Sequence, residues 1–258
     1  MQLSQVNTTD IRDAVALGCQ TMSRVFNADD NDIPFFIAKA WPQAELAFNL
    51  CHSEAHVPGR HLNALLNAQA ALSIEVDEAV IEKHARAACF SYSGPVALPL
   101  NRQQINGPLV NFAPHNIREG FHALNALVQY RDDEKARRLA EASIQAIFDL
   151  WNPDNGWNRE VLQNKYGLQI LDYDAPFLGG VARSIGPLAK YYAATGYAPA
   201  LQLATLLKDK VLCEYLLPDG EYHEALGHHT HSVTCVMSSL AQLAMMTRDA
   251  PLMERVRK

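Results

Sequence analysis

Residues 130–142, YRDDEKARRLAEA, join the end of one apolar helix to the start of another through a short polar turn. Residues 194–207, ATGYAPALQLATLL, and residues 246–256, MTRDAPLMERV, have the same form. The three joints are roughly 50–65 residues apart, a spacing typical of helical-hairpin repeats. Each hairpin of such a repeat buries one face on its neighbours, so several must stack before any is stable.

Apolar periodicity extends this pattern along the chain. It predicts helices at residues 9–25, 34–51, 60–74, 77–90, 117–129, 133–150, 180–195, 198–216 and 232–247, and from residue 250 onward. Two long stretches interrupt the helices: residues 91–116, in which four prolines exclude a long helix, and residues 151–177. We therefore predict an all-α fold, an (α/α) toroid of antiparallel helical hairpins, with a straight solenoid as the main alternative.

The last predicted helix is short, and about five hairpins are present where a closed toroid needs six or seven. We expect residues 1–258 to form a single (α/α) toroid domain, an incomplete ring truncated at its C-terminus.

Composition restricts the partners and the compartment. The formal net charge of -6 gives no basic surface for nucleic acid, and no apolar run reaches the roughly 20 residues that span a membrane. The five cysteines are scattered without CxxC spacing, which is typical of reduced core thiols. We expect a cytoplasmic protein without nucleic-acid or membrane partners; the oligomeric state stays open.

Polar side chains gather at three predicted helix starts, where a toroid would place them around one mouth. The segments are residues 52–61 (HSEAHVPGRH), 111–122 (NFAPHNIREGFH) and 222–231 (YHEALGHHTH). The catalytic candidates are Glu54, His115, Glu119, Glu224 and His229. The substrate-binding candidates are His52, Arg60, Asn116, Arg118, Trp157, Tyr222, His228 and His231.

Each residue type suggests a role. Two carboxylates from Glu54, Glu119 and Glu224 would serve as acid and base in glycoside hydrolysis. Histidine suits proton transfer near neutrality, and arginine binds carboxylates. The spacing of His228, His229 and His231 matches no specific zinc motif, so we expect neither a metal nor another cofactor.

Several stretches together resemble a known family. These are DNDIPFF (30–36), HVPGRHLNALL (56–66), HNIREGFHALNALVQYRDD (115–133), PDGEYH (218–223) and HTHSVTCVMSSLAQLAMMTRD (229–249). They resemble bacterial proteins of the six-hairpin glycosidase-like superfamily, in particular uncharacterised relatives of the β-L-arabinofuranosidases. The resemblance implies an (α/α) toroid with a sugar site at its mouth. The cysteine–zinc site of the arabinofuranosidases is not implied, because no cysteine cluster corresponds to it.

Three functions remain open. The first is a carbohydrate-active enzyme, a glycoside hydrolase acting on an oligosaccharide. The second is a polysaccharide lyase or sugar epimerase, in which His115 or His229 abstracts a proton and Arg60 or Arg118 stabilises the developing charge. The third is a non-catalytic helical-repeat binding module, which predicts that the three polar segments do not converge.

Overall fold

A computed structural model describes residues 10–172, 177–221, 223 and 229–258. It is mostly helical, with 59% helix and 10% strand, which confirms the helical part of the prediction. The helices are α1 (Ile11–Met22), α2 (Val57–Leu72), α3 (Glu78–Ser91), α4 (Asn116–Arg131), α5 (Glu134–Leu150), α6 (Arg159–Asn164), α7 (Ile185–Thr195), α8 (Ala198–Glu214), α9 (Thr230–Thr247) and α10 (Ala250–Arg257). Short 3-10 helices cover Ala28–Asp30 and Val181–Ser184.

The three joints share one local geometry. Asp132, Gly196 and Arg248 each adopt a positive φ, of 48°, 71° and 57°, and so end a helix in the left-handed conformation. In the first and third joints the next residue is an aspartate, Asp133 or Asp249, whose carboxylate caps the amides of the following helix. The turns between paired helices are therefore built from local signals that the sequence displays.

Packing connects the pairs into one core. The pairs α2–α3, α4–α5, α7–α8 and α9–α10 are in contact, and α2, α4, α7 and α9 contact one another in that order. Helix α4 is buried along most of its length, with Phe121 and Leu124 fully inaccessible to solvent. Polar side chains of α4 are buried as well, among them Asn116, Glu119 and Asn125, so this helix lies at the centre of the packing.

Nine short strands occur in the described residues, between the helices: β1 (Phe26–Asn27), β2 (Ile33–Pro34), β3 (Ile37–Lys39), β4 (Glu45–Ala47), β5 (Leu100–Arg102), β6 (Leu109–Phe112), β7 (Trp151–Asn152), β8 (Gly156–Trp157) and β9 (Gln169–Ile170). Strand β6 pairs antiparallel with β5 and parallel with β9. The pairs β1–β2, β3–β4 and β7–β8 are antiparallel two-stranded sheets.

The helix predicted at residues 34–51 was wrong. This segment holds the β3–β4 hairpin, which pairs Ile37 with Ala47 and Lys39 with Glu45. Pro42 has no amide hydrogen and a fixed φ, so a helix through the middle of the segment would lose a hydrogen bond and clash with the preceding turn. The alanines and the glutamate around it favour a helix, but they do not offset this cost.

The two interruptions of the helical pattern are more ordered than predicted. Residues 91–116 contain β5 and β6, and residues 151–177 contain β7, β8, α6 and β9. Residues 151–157, with the sequence WNPDNGW, form a hairpin in which Trp151 faces Trp157 and Gly156 takes a φ of 69°.

All five cysteines lie within the described residues and are free thiols, but only Cys19 and Cys235 are buried and Cys213 is exposed, so the prediction of core thiols was wrong for Cys213. Among the helices of the described part, none combines the length and the apolar character that crossing a membrane requires.

Candidate functional site

The N-terminal ends of α2, α4 and α9 and the 3-10 helix before α7 meet around a cavity of about 350 Å³. Its wall contains five histidines and two arginines: His52, His56, His115, His229, His231, Arg60 and Arg183. His56, His115 and His229 are the residues immediately before α2, α4 and α9. The volume lies within the range of about 300–1,000 Å³ that small-molecule sites occupy.

Glu119 lies behind this wall, fully buried, and binds three guanidinium groups. Arg118 Nη1 lies 2.8 and 2.7 Å from its two oxygens. Arg60 donates from Nε and Nη2 to Oε1, each at 3.3 Å, and Arg183 Nη2 donates to the same oxygen at 3.1 Å. The three arginines come from α2, α4 and the 3-10 helix before α7, so this carboxylate holds three elements together.

The surroundings of Glu119 keep it ionised. Burial raises its pKa, but His56, which is protonated in the acid range where this carboxyl titrates, and the guanidinium groups of Arg118, Arg183 and Arg60 lower it more, and the resulting pKa is about 2. A carboxyl group with this pKa does not donate a proton near neutral pH. The geometry therefore gives Glu119 the role of fixing the arginines.

His231 lies between the two arginines of the wall. Its Nε2 is 2.9 Å from Arg60 Nη2 and 3.3 Å from Arg183 Nη2. Because a guanidinium group only donates hydrogen bonds, Nε2 must be the unprotonated acceptor. Burial lowers the pKa of His231, and Arg183 and Arg60 lower it further, so the ring is neutral.

His52, His56 and His115 form a compact cluster on the other side of the cavity, with ring centroids 4.9–5.4 Å apart. His52 Nδ1 lies 2.7 Å from Asn49 Oδ1, and His56 Nδ1 lies 3.0 Å from Asn116 Oδ1. These bonds fix two of the rings. His115 Nε2 is 3.2 Å from His52 Nε2.

Burial is the largest cause of a low pKa in all three rings. The pKa falls to about 4 for His52, about 3 for His56 and about 2 for His115. The nearby charges of Arg60 and Arg183 also lower the pKa of His52. Near neutral pH the three imidazoles are therefore uncharged and each retains one nitrogen lone pair.

Glu54 lies away from the cavity, in a separate buried ion pair. Its Oε1 accepts from Arg102 Nε at 2.5 Å, and Arg102 donates from both Nη atoms to the buried Asp30, at 2.8 and 2.5 Å. Burial raises the pKa of Glu54 to about 7 against the opposing effect of Arg102. Glu54 does not line the cavity with His115 and His229, so the expected carboxylate pair across one hollow is not formed by Glu54 and Glu119.

The other predicted residues take different positions. Asn116 is buried and orients His56, while its Nδ2 donates to the carbonyl of Cys51 at 2.7 Å. Arg118 lines a second cavity of about 470 Å³, which shares Arg60 and His231 with the first. Trp157 packs edge-on against Phe112 and is not part of the cavity wall. Tyr222, Glu224 and His228 lie outside the described residues.

Four residues of the wall had no assigned role in the sequence prediction: His56, Gly179, Arg183 and Ser232, of which two have ionisable side chains. His56 belongs to the first polar segment, and the turn before α2, in which the His56 N–H donates to the His52 carbonyl at 3.0 Å, brings the two ring centroids to 4.9 Å. Arg183 is the single charged residue in the apolar segment FLGGVARSIGPL, residues 177–188. A lone charge in such a segment needs a buried partner, and this signal points to the site.

Compared with protein-family models, curated proteins and solved structures, the chain matches none of them.

Proposed function

We propose that the protein is an enzyme that removes a proton from a carboxylate-bearing sugar, as a polysaccharide lyase or a sugar epimerase does. The observation that carries this proposal is the composition of the cavity wall. In the part of the chain that the structure describes, the wall has imidazole and guanidinium groups but no carboxylate. Most glycoside hydrolases use a pair of carboxyl groups at the scissile bond, whereas Glu54 and Glu119 are both engaged in buried ion pairs and Glu224 lies outside the described residues.

The charge of the wall suits an anionic substrate group. Arg60 and Arg183 converge within hydrogen-bonding distance of His231, so both guanidinium groups face one region of the cavity. Paired guanidinium donors bind carboxylates strongly. The residues that precede α2, α4 and α9 line the same cavity, and helix N-termini favour negative charge.

A proton acceptor is available beside these arginines. His229 lines the cavity, and its Nδ1 lies 2.6 Å from Ser232 Oγ, which fixes the ring at the start of α9. The carboxylate of a uronic acid acidifies the neighbouring C–H bond, and Arg60 and Arg183 would stabilise the charge that develops when the proton leaves. We assign His229 the role of base in preference to His115, whose pKa of about 2 makes it a weak proton acceptor.

The two reactions share this first step. In a lyase, the electron pair of the C–H bond becomes a C=C bond as the neighbouring C–O bond breaks, and the departing oxygen takes a proton. In an epimerase, a proton returns to the same carbon from the opposite face.

Two further features support a sugar site at the mouth of an (α/α) toroid. The helices α2, α4, α7 and α9 make contact in sequence, and Arg60 of α2 bonds His231 of α9, so the first and last of them meet at the cavity. Phe36 stacks on His52 at 4.1 Å and is 41% exposed, and it leads into the β3–β4 hairpin with the exposed Trp41. Exposed aromatic faces offer an apolar surface to the C–H face of a sugar ring.

The test is incubation in D₂O with a panel of uronic-acid oligosaccharides. An unsaturated product that absorbs in the near ultraviolet indicates a lyase, and deuterium at the carbon next to the carboxylate without cleavage indicates an epimerase. His229→Gln should lower either activity at least 100-fold, in line with the usual contribution of a general base. His223→Gln, at an exposed histidine outside the cavity wall, is the matched control and should retain activity.

Cleavage that yields new reducing ends without unsaturation or deuterium uptake would reject the proposal in favour of hydrolysis. Saturable sugar binding without turnover would support the non-catalytic binding module instead.

A further inference from the structure

The histidine cluster has the geometry of a metal-ligand set. His52, His56 and His115 each offer a ring nitrogen, and these three atoms lie within 4.8 Å of one another. All three side chains line the cavity, so a species bound between them would have one side open to a substrate or water. Three protein ligands with one open position are typical of catalytic zinc sites.

The hydrogen bonds behind the cluster orient its lone pairs. Asn49 Oδ1 accepts from the backbone N–H of Cys51 at 2.9 Å, which identifies this atom as the amide oxygen. Since an amide oxygen only accepts, His52 must donate its Nδ1 proton to it at 2.7 Å. The Nε2 of His52 therefore carries a lone pair and faces His115 Nε2.

The same arrangement recurs at His56. Asn116 Nδ2 donates to the carbonyl oxygen of Cys51, so Oδ1 is the atom that faces His56 Nδ1. His56 thus donates from Nδ1 and keeps its lone pair on Nε2. Metal-binding histidines usually donate their other ring N–H to an oxygen atom in this way, and the bond fixes both tautomer and ring orientation.

The distances fit a small transition-metal ion. Two nitrogen ligands of a tetrahedral zinc ion, each about 2.0–2.1 Å from the metal, are about 3.4 Å apart. His52 Nε2 and His115 Nε2 are 3.2 Å apart. The three ring nitrogens lie within 4.8 Å of one another, so the largest distance between two of them would shorten by at most about 1.4 Å when the ion binds.

We propose that His52, His56 and His115 bind a divalent transition-metal ion, zinc in the first instance, with the fourth coordination position open to the cavity. This goes beyond the proposed function and does not rest on it. It also departs from the expectation that the protein binds no metal. Three imidazole ligands suit zinc, copper or nickel rather than magnesium or calcium, which prefer oxygen.

The neighbouring charges set the expected affinity. Arg60 and Arg183 also line the cavity. Among the described residues, Glu119 is the one carboxylate that forms an ion pair with these two guanidinium groups and offsets part of their positive charge. Their positive charge repels a dication, so we expect weaker binding than at a three-histidine site without neighbouring arginines. An anion bound to the open position would offset part of this repulsion.

The competing account is a simple hydrogen bond, in which His115 Nε2 carries a proton and donates it to His52 Nε2 at 3.2 Å. Metal binding requires that proton to move to Nδ1 of His115. The two accounts therefore make opposite predictions for zinc.

The experiment is isothermal titration of chelator-treated protein with Zn²⁺, in a buffer that does not bind zinc, with activity playing no part in the readout. We expect one zinc ion per chain and at least 100-fold weaker binding by His52→Gln and by His115→Gln. His229→Gln, which removes another histidine of the same cavity, should bind zinc like the wild type. Circular dichroism before titration shows that each variant is folded.

The proposal would be overturned if the wild type bound zinc no more tightly than the His52→Gln variant. It would also be overturned if His229→Gln lost as much zinc affinity as His52→Gln. If the His115→Gln variant does not fold, the visible spectrum of the wild type with Co²⁺ takes its place. Bands of tetrahedral cobalt support the site, and an octahedral spectrum overturns it. A zinc site without sugar turnover would reject only the proposed function, and turnover without zinc binding would reject only the metal site.

Discussion

Replacing Glu119 by glutamine should destabilise the folded protein by about 3 kcal/mol at neutral pH. The pKa of this buried carboxyl is about 2, compared with 4.5 for an ordinary glutamate. The folded pKa is depressed, so the stabilisation is fully present above pH 4.5 and is lost as the pH falls through about 2. Each pH unit between the two values corresponds to about 1.4 kcal/mol, and the difference of 2.5 units gives about 3 kcal/mol.

Glutamine preserves the shape of the side chain but leaves Arg60, Arg118 and Arg183 without a counter-charge. Breaking a buried ion pair on one side typically costs about 3–5 kcal/mol, which agrees with the value from the pKa. The assay is urea denaturation at pH 7.5, followed by circular dichroism, with the free energy of unfolding extrapolated to water.

Glu45→Gln is the matched control, because Glu45 forms an ion pair with Lys39 at 2.8 Å in which both side chains are about half exposed. Exposed pairs contribute about 0–1 kcal/mol, so this variant should unfold almost like the wild type. A double-mutant cycle adds a second check: Arg60→Gln should cost less in the Glu119→Gln background than in the wild type. If Glu119→Gln costs no more than Glu45→Gln, the account of Glu119 as the centre of the arginine cluster is wrong.

Three other substitutions test separate parts of the structure in the same urea assay. Glu54→Gln should stabilise the protein at pH 8 but not at pH 5. Burial raises the folded pKa of Glu54 to about 7, so ionisation of this carboxyl costs stability as the pH rises from 4.5 through 7. Equal effects of the substitution at both pH values would contradict this. Gly59→Ala should cost more than 3 kcal/mol or prevent folding, since a Cβ there would lie 2.0 Å from the backbone oxygen of Glu119. Gly18 has open space around it, so Gly18→Ala should stabilise the protein by up to about 1 kcal/mol. Similar free energies of unfolding for the two variants would refute the close approach of α2 and α4. His84 has a folded pKa of about 3, below its ordinary value of 6.5, so the stability that the neutral ring contributes is lost as the pH falls below 6.5. His84→Phe should therefore reduce the loss of stability between pH 7 and pH 5 by about 2 kcal/mol. An unchanged pH dependence would show that His84 is not buried in neutral form.

The helical hairpins could be predicted from the sequence because their signals are local. Asp133 caps α5 through amides two and three residues away, and Gly196 ends α7 through its own backbone conformation. Such interactions depend on neighbouring residues, which a single sequence displays directly. The convergence of the helix starts followed from the repeat, since stacked hairpins place equivalent ends side by side.

The roles of the carboxylates could not be predicted because their partners are distant in the chain. Glu54 binds Arg102, 48 residues away, and Glu119 binds Arg183, 64 residues away. Nothing in the local sequence distinguishes a glutamate that faces a cavity from one that lies behind its wall. Both residues stand near histidines and arginines in the sequence, and only the fold shows that Glu54 pairs with Arg102 of β5 while Glu119 pairs with arginines of α2, α4 and the 3-10 helix before α7.

The placement of Glu119 also determines what kind of anion the cavity can attract. The protein carries a net charge of -6, which repels polyanions at long range. Around the cavity, however, one carboxylate is shared by Arg60, Arg118 and Arg183, so this group of four side chains retains a net positive charge. Because salt screens such a field within about 10 Å, it acts on a ligand small enough to enter the cavity. This charge distribution supports the proposal that the cavity binds one sugar-acid unit at a time, either a free sugar or one unit of an oligosaccharide.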